Sequence, residues 1–171
     1  MTRDPLTLYK LIILYMLDRV TFPLTKAQVS DFILEREYTN FLTLQQATAE
    51  LIDAELVIAE SSRNRTYLKI TEEGRETLSF FRNRINSSIR HEIDSFLRDH
   101  ELEMRNEVSI LADYNKTSSG EYEARLAAKE KGVTVVEVTL SVPDEDTASA
   151  ICANWHKNNQ EIYQYLISRL F

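Results

Sequence analysis

Leu8, Leu11, Ile12, Tyr15 and Leu17 form a broad apolar stripe at helical spacing, opened by Pro5 and broken by Pro23. Thr25-Lys-Ala-Gln28 then has the form of a capping box, and Val29, Phe32 and Ile33 give a second helix its buried face. After the loop EYTNFL comes a similar box, Thr43-Leu-Gln-Gln46. Leu44, Ala47, Leu51 and Ile52 follow as the inner stripe of a third helix, predicted over 43–54. The period then changes. Leu56 to Ala59 and Thr66 to Ile70 read as short strands joined by a polar turn, Ser61 to Arg65. Thr71 caps a fourth helix, with Glu72 and Glu73 where the helix dipole favours acids.

From Glu72 the pattern predicts one long helix reaching about Met104, with Leu78, Phe81, Ile85, Ile89, Ile93 and Phe96 on its apolar side. That stripe can pack within the chain or against the same helix of a second copy. Strict alternation follows. Val108, Ile110, Ala112 and Tyr114 come first, then Tyr122, Ala124, Leu126 and Ala128, then Val136, Val138, Leu140 and Val142. Turns at Lys116 to Gly120 and at Gly132 make these an antiparallel meander with one apolar face. Pro143 and Asp144 open a last helix, whose Ala148, Ile151, Trp155, Ile162, Leu166 and Leu170 are placed to cover that face.

The expected class is therefore α+β. An N-terminal winged helix-turn-helix (1–75) precedes a region of 76–171, in which a long linking helix leads to a small three-stranded sheet under a C-terminal helix. Within TYLKITEEGRETL, residues Tyr67, Ile70, Thr71, Gly74 and Leu78 resemble the wing-to-helix junction of bacterial PadR-like and MarR-like regulators. The junction covers about a tenth of the chain and marks a fold more than a function. The whole chain resembles an uncharacterised bacterial family, a domain of unknown function. Its members join a winged helix to a C-terminal α/β region with a Cys-x-x-Trp-like helix, here Cys152, Asn154 and Trp155 in ICANW. That family brings no assigned activity.

Composition tempers what the first resemblance implies. Hydrophobic residues make up 43% of the 171, enough for a sizeable core. The net charge is −7, which disfavours a general nucleic-acid binder. Residues 1–75 hold nine Lys/Arg against eleven Asp/Glu, so −2 of that charge lies there and −5 in the remainder. Modest, salt-sensitive affinity is expected, strengthened by avidity in a homodimer. The single cysteine allows no internal disulfide and fits a reducing cytoplasm. The run LTLYKLIILYMLD, with Lys10 inside it and Asp18 at its end, is too short for a bilayer span, and no small-residue cleavage site follows it.

Candidate DNA contacts fall on two elements. The resemblance places the third helix in the major groove, where its outward Thr43, Gln45, Gln46 and Ala49 would meet base edges. The plainer reading is a polar helix surface with Gln46 held in its capping box, and Glu50 and Asp53 nearby repel phosphate. The wing over 61–66 carries Arg63, Asn64 and Arg65, with Lys69 on the following strand, and arginine forks onto phosphate or enters the minor groove. The alternative there is an ordinary solvated turn. Lys26 and Gln28 at the second helix start admit a phosphate contact, against a capping box beside a surface lysine.

Signals for catalysis are absent from the sequence. The three glycines (Gly74, Gly120, Gly132) lie far apart and form no phosphate loop. His91, His100 and His156 make no metal-ligand cluster. Cys152 and His156 share a helix face as two ligands only, so a buried structural cysteine is the simpler account. Asp144, Glu145 and Asp146 read as helix-start charges. No enzyme activity, cofactor or metal is expected. Two readings remain: a homodimeric DNA-binding transcriptional regulator whose C-terminal region dimerises or senses a small-molecule effector, and a winged-helix protein-interaction module without DNA.

Overall fold

The computed structural model describes residues 4–171. The class is α+β, with six α-helices and two antiparallel three-stranded sheets among those residues. The chain forms two compact units that divide after Met104.

In the first unit, α1 (Pro5–Asp18), β1 (Leu24–Thr25), α2 (Lys26–Glu35) and α3 (Phe41–Asp53) precede β2 (Val57–Ser62), β3 (Arg65–Ile70) and α4 (Glu72–Phe81). A 3-10 turn (Arg82–Arg84) leads to α5 (Ser87–Ser109), within which the boundary falls. Leu11 to Leu17 of α1 are buried without interruption, so this helix is apolar all round and forms the centre of the core. Phe32, Ile33, Leu44, Leu51, Leu68 and Leu78 pack into the same cluster. The sheet order is β1-β3-β2, with Leu24 opposite Leu68 and Val57 opposite Ile70. Sequence reasoning missed β1, because two residues give no period to detect.

Two predicted elements are corrected. The third helix starts at Phe41, not Thr43. Asn40 is its cap, and its Oδ1 accepts the Thr43 N–H at 2.9 Å, so the Thr43–Gln46 pattern lies inside the first turn. The single helix from Glu72 to Met104 does not exist. It breaks at Ile85, which adopts an extended conformation (φ −80°, ψ 123°) with its side chain fully buried. Asn86 then restarts the helix, its Oδ1 accepting the Ser88 N–H at 3.0 Å. Asn-Ser-Ser is a cap signal that the apolar period hid. Phe81, expected on the inner side, is exposed as a result. Ile85, Ile93, Leu97 and Met104 all pack into the N-terminal core, so that unit extends past the expected boundary at residue 75.

In the second unit, β4 (Ile110–Lys116), β5 (Tyr122–Glu130) and β6 (Val133–Val142) form the meander in that order, and α6 (Glu145–Leu170) lies against it. Val108, read as a strand residue, belongs to α5. Asp144 caps α6, accepting the Thr147 N–H at 2.7 Å and its hydroxyl at 2.8 Å, which holds its carboxyl below the usual range. Trp155 is buried over Leu126 and Ala128 and donates its indole N–H to the Ala127 carbonyl at 3.1 Å. Ala148, Ile151 and Trp155 pack as expected, but Ile162 and Leu170 are exposed. A helix of this length, about 39 Å at 1.5 Å per residue, covers the sheet only with its first half.

Candidate nucleic-acid interface

Strands β2 and β3 are joined by a two-residue turn in which both central residues, Arg63 (φ 52°) and Asn64 (φ 64°), are left-handed. That is the backbone of a type I′ hairpin turn, whose twist matches the flanking strands. Asparagine tolerates this conformation, and arginine adopts it at a cost. Ser62 pairs with Arg65 at the base of the turn. Along β3, Arg65, Tyr67 and Lys69 alternate onto one face while Leu68 and Ile70 point into the core. Arg65 and Lys69 are therefore about 13 Å apart along the strand. The structure brings Arg63, Asn64 and Arg65 together and sets Lys69 at the other end of the strand. Against these three cations the two strands and their turn carry one acid, Glu60.

On α3 the buried side is Leu44, Ala47, Thr48 and Leu51. Gln46 and Ala49 are exposed, and Gln45 and Thr43 are half-buried. Because Asn40 is the cap, Gln46 is released from the capping role assigned to it. Glu50 is drawn onto Lys10 of α1, Nζ to Oε2 2.7 Å, so one of the two acids expected to repel phosphate is neutralised; Asp53 stays exposed. The earlier helix start also uncovers what the sequence reading missed. Phe41 and Leu42 are 55% and 79% exposed on the first turn, and Leu42 lines up with Gln46, Ala49 and Asp53. The signal was present in the sequence as Asn40 three residues before Thr43.

At the start of α2 the capping box forms as expected, with the Gln28 N–H donating to Thr25 Oγ1 at 3.0 Å and the Thr25 N–H donating to Gln28 Oε1 at 2.9 Å. Gln28 is buried and its amide also reaches the Met104 carbonyl at 3.4 Å, so it offers nothing to a phosphate.

Several other cations of this unit are occupied by acids. Arg19 binds Asp94 at 2.9 Å, Arg36 lies 3.7 Å from Glu92, and Arg75 lies 3.3 Å from Asp18 and from Glu72. Asp94 also accepts the Tyr15 hydroxyl, whose pKa is raised by burial and by that carboxylate. Tyr38 donates to Glu92, and burial with this bond pushes its phenol up to about 12. Arg36 stacks over Phe32 with its guanidinium 4.0 Å from the ring centre. Tyr15, Arg19, Arg36 and Tyr38 tie α1 and the segment after α2 to α5, while Arg75 joins α4 to α1.

Cys152 packs beside Trp155, and His156 on the next turn is exposed. Among the described residues no three His, Cys, Asp or Glu side chains gather as a metal site, and no helix is long and apolar enough to cross a membrane. No curated protein matches the chain, and no solved structure does. The model of a family described as a domain of unknown function (DUF4364) matches residues 9–170, and the chain belongs to that family.

Proposed function

We propose that the first unit is a winged helix-turn-helix and that the protein is a homodimeric DNA-binding transcriptional regulator. In this reading α3 enters the major groove and the β2–β3 hairpin is the wing on the backbone or minor groove. The observation that carries it is the hairpin tip, where a left-handed arginine and its neighbours Asn64 and Arg65 concentrate positive charge on an acidic protein. The element order, three helices and then a hairpin in a β1-β3-β2 sheet, supports this reading. On α3, Gln46 suits an adenine edge and Ala49 a thymine methyl, with Gln45 and Thr43 beside them. The C-terminal unit would supply the dimer and any effector response.

The test is anisotropy of a labelled random duplex between roughly 25 and 200 mM salt, the range over which a phosphate-dominated complex loses most of its affinity. Three cations per copy on phosphate give a log–log salt slope of roughly −5 for a dimer. The double variant R63A/R65A should flatten it by about one unit per lost contact and weaken all sequences alike. Absence of binding at low salt refutes the reading.

A second reading is favoured by a specific observation. Phe41 and Leu42 stand exposed on the helix assigned to DNA, and such a pair suits a protein groove as well as a base edge. As a protein-interaction module the chain would bind no duplex, and L42E would abolish partner binding while leaving the fold intact.

A further inference from the structure

The edge of the second sheet carries more information than its apolar face. Strand β6 is bonded on one side only, to β5, and its other edge has no strand among the described residues. It is the longest strand described, and its sequence VTVVEVTLSV holds one charge, no proline and no glycine. Every residue of it is exposed or half-buried, including Val133 (64%), Val135 (38%) and Leu140 (41%). Solvent-facing edges are normally blunted by lysine, proline, a bulge or shortness. The β4 edge is shorter and ends in Tyr-Asn-Lys after Asp113. The irregularity of β6 lies at Val135, between the residues opposite Ala128 and Lys129, and leaves 136–142 regular. Helix α6 packs chiefly on β4 and β5, so Val136, Val138 and Leu140 on the same side are only partly covered.

We infer that β6 pairs antiparallel with β6 of a second copy about a twofold axis at Val138, making one continuous six-stranded sheet. Two identical edges related by a twofold perpendicular to the sheet must run antiparallel and keep each residue on its own face, so the axis passes through a residue pair of equal parity. Charge selects between the two central choices. An axis at Glu137 sets two carboxylates directly opposite one another. An axis at Val138 sets Val138 on Val138 and Val136 on Leu140 across the α6 side, and Glu137 opposite Thr139 on the other, all within the regular run 136–142. Like charges directly opposed on a sheet are unfavourable, while β-branched and aliphatic pairs are favourable. The second copy also brings its own α6 to the same face, so the partly covered apolar residues of the two β6 strands pair with one another between the two helices. A partner strand of a different protein would satisfy the backbone equally but would have no reason to match this self-complementary register.

The inference rests on the homodimer part of the proposed function and not on DNA binding. Sedimentation velocity of the full chain over a wide concentration range, with three proteins, tests it. The wild type should sediment as a dimer at high micromolar concentration. T139E sets a new carboxylate directly opposite Glu137 at both symmetry-related pairs and should raise the dissociation constant about tenfold or more. E137T/T139E exchanges the two residues, keeps the same charge and should restore wild-type dissociation. Far-ultraviolet circular dichroism checks that each variant folds. A wild type that stays monomeric throughout overturns the pairing, including the case in which the edge serves a foreign strand. Three proteins that dimerise equally well place the interface elsewhere and overturn it. Equal weakening in both variants overturns the register. A wild-type monomer that still binds duplex removes this interface alone. A dimer with this variant pattern that binds no duplex removes the DNA reading alone.

Discussion

Gly74 sits in the first turn of α4, where helix propensity alone favours alanine by about 1 kcal/mol. The structure reverses that sign. A Cβ at this position would lie 2.2 Å from the Leu56 carbonyl oxygen and 2.8 Å from Ile70 Cγ1. No rotamer relieves a Cβ contact, and the nearer obstacle is backbone, so α4 must move by roughly 1 Å to reach an ordinary separation. The same carbonyl accepts the Thr71 N–H at 3.1 Å, and the Thr71 hydroxyl donates to the Glu55 carbonyl at 2.8 Å while accepting the Gly74 N–H at 3.0 Å. A shift of that size stretches the Thr71–Leu56 bond past hydrogen-bond range. Overpacking costs about 1–3 kcal/mol, and the lost bond about 0.5–1.5 kcal/mol. Against the propensity gain of about 1 kcal/mol, G74A should destabilise by about 0.5–3.5 kcal/mol, or lower Tm by roughly 1–14 °C for a chain of this size. Urea unfolding followed by circular dichroism measures it, with an unchanged m-value expected. A neutral or stabilised G74A would refute the close approach and with it the account of why Thr-x-x-Gly follows the hairpin.

Replacing Arg63-Asn64 by Asn-Gly suits both left-handed positions and should stabilise the hairpin by about 0.5–1 kcal/mol, while lowering the duplex salt slope as R63A does. W155F removes the donor to Ala127 and leaves a small void, so unfolding should show a loss of about 1–3 kcal/mol, whereas an unchanged midpoint would deny the burial of that bond. I151A should cost at least twice as much as I162A, because only the former packs against the sheet; equal losses in urea unfolding would contradict that. The Tyr38 phenol ionises later in the folded chain than in the unfolded one, so its contribution is complete below pH 10 and is lost as pH rises towards about 12. Wild type should lose stability over that range faster than Y38F, and parallel pH profiles would argue against the Tyr38–Glu92 bond.

How much of this was legible in the sequence varies with the kind of signal. Long periodic stretches were readable. The stripe of α1, the capping box at Thr25 and the three-strand alternation of 110–142 each declare themselves through a repeat or a paired side-chain chemistry. Elements set by single positions were not. The apolar series Leu78, Phe81, Ile85, Ile89 runs through the α4–α5 break because Ile85 is buried in both the predicted and the observed arrangement; only Asn86 and two serines mark the restart. Thr43 with Gln46 mimics a box because Asn40 puts Thr43 at the same spacing from a cap that it would itself occupy. The candidate site shifted accordingly. Arg63, Asn64 and Arg65 lie at the hairpin turn where the sequence pattern put them, since a turn between two strands is fixed by its ends. On α3 the new start freed Gln46 and exposed Phe41 and Leu42, and Glu50 changed from a repelling charge into one end of an ion pair that no local pattern encodes.

These shifts bear on how an acidic protein can carry the proposed activity. Phosphate affinity responds to charge within a Debye length, about 8–10 Å at physiological salt, and not to the net charge of the chain. Arg19, Arg36 and Arg75 are held by acids, and Lys10 pairs with Glu50 on α3, the helix proposed for the groove. On the proposed reading a single hairpin would supply few phosphate contacts, so one copy would bind weakly. In the proposed dimer two such hairpins would act at a high effective concentration for each other's sites, which multiplies modest affinities without a new contact. The uncovered edge of β6 and the arginines of the hairpin therefore belong to one argument: the weaker the individual wing, the more the activity depends on the strand that joins two of them.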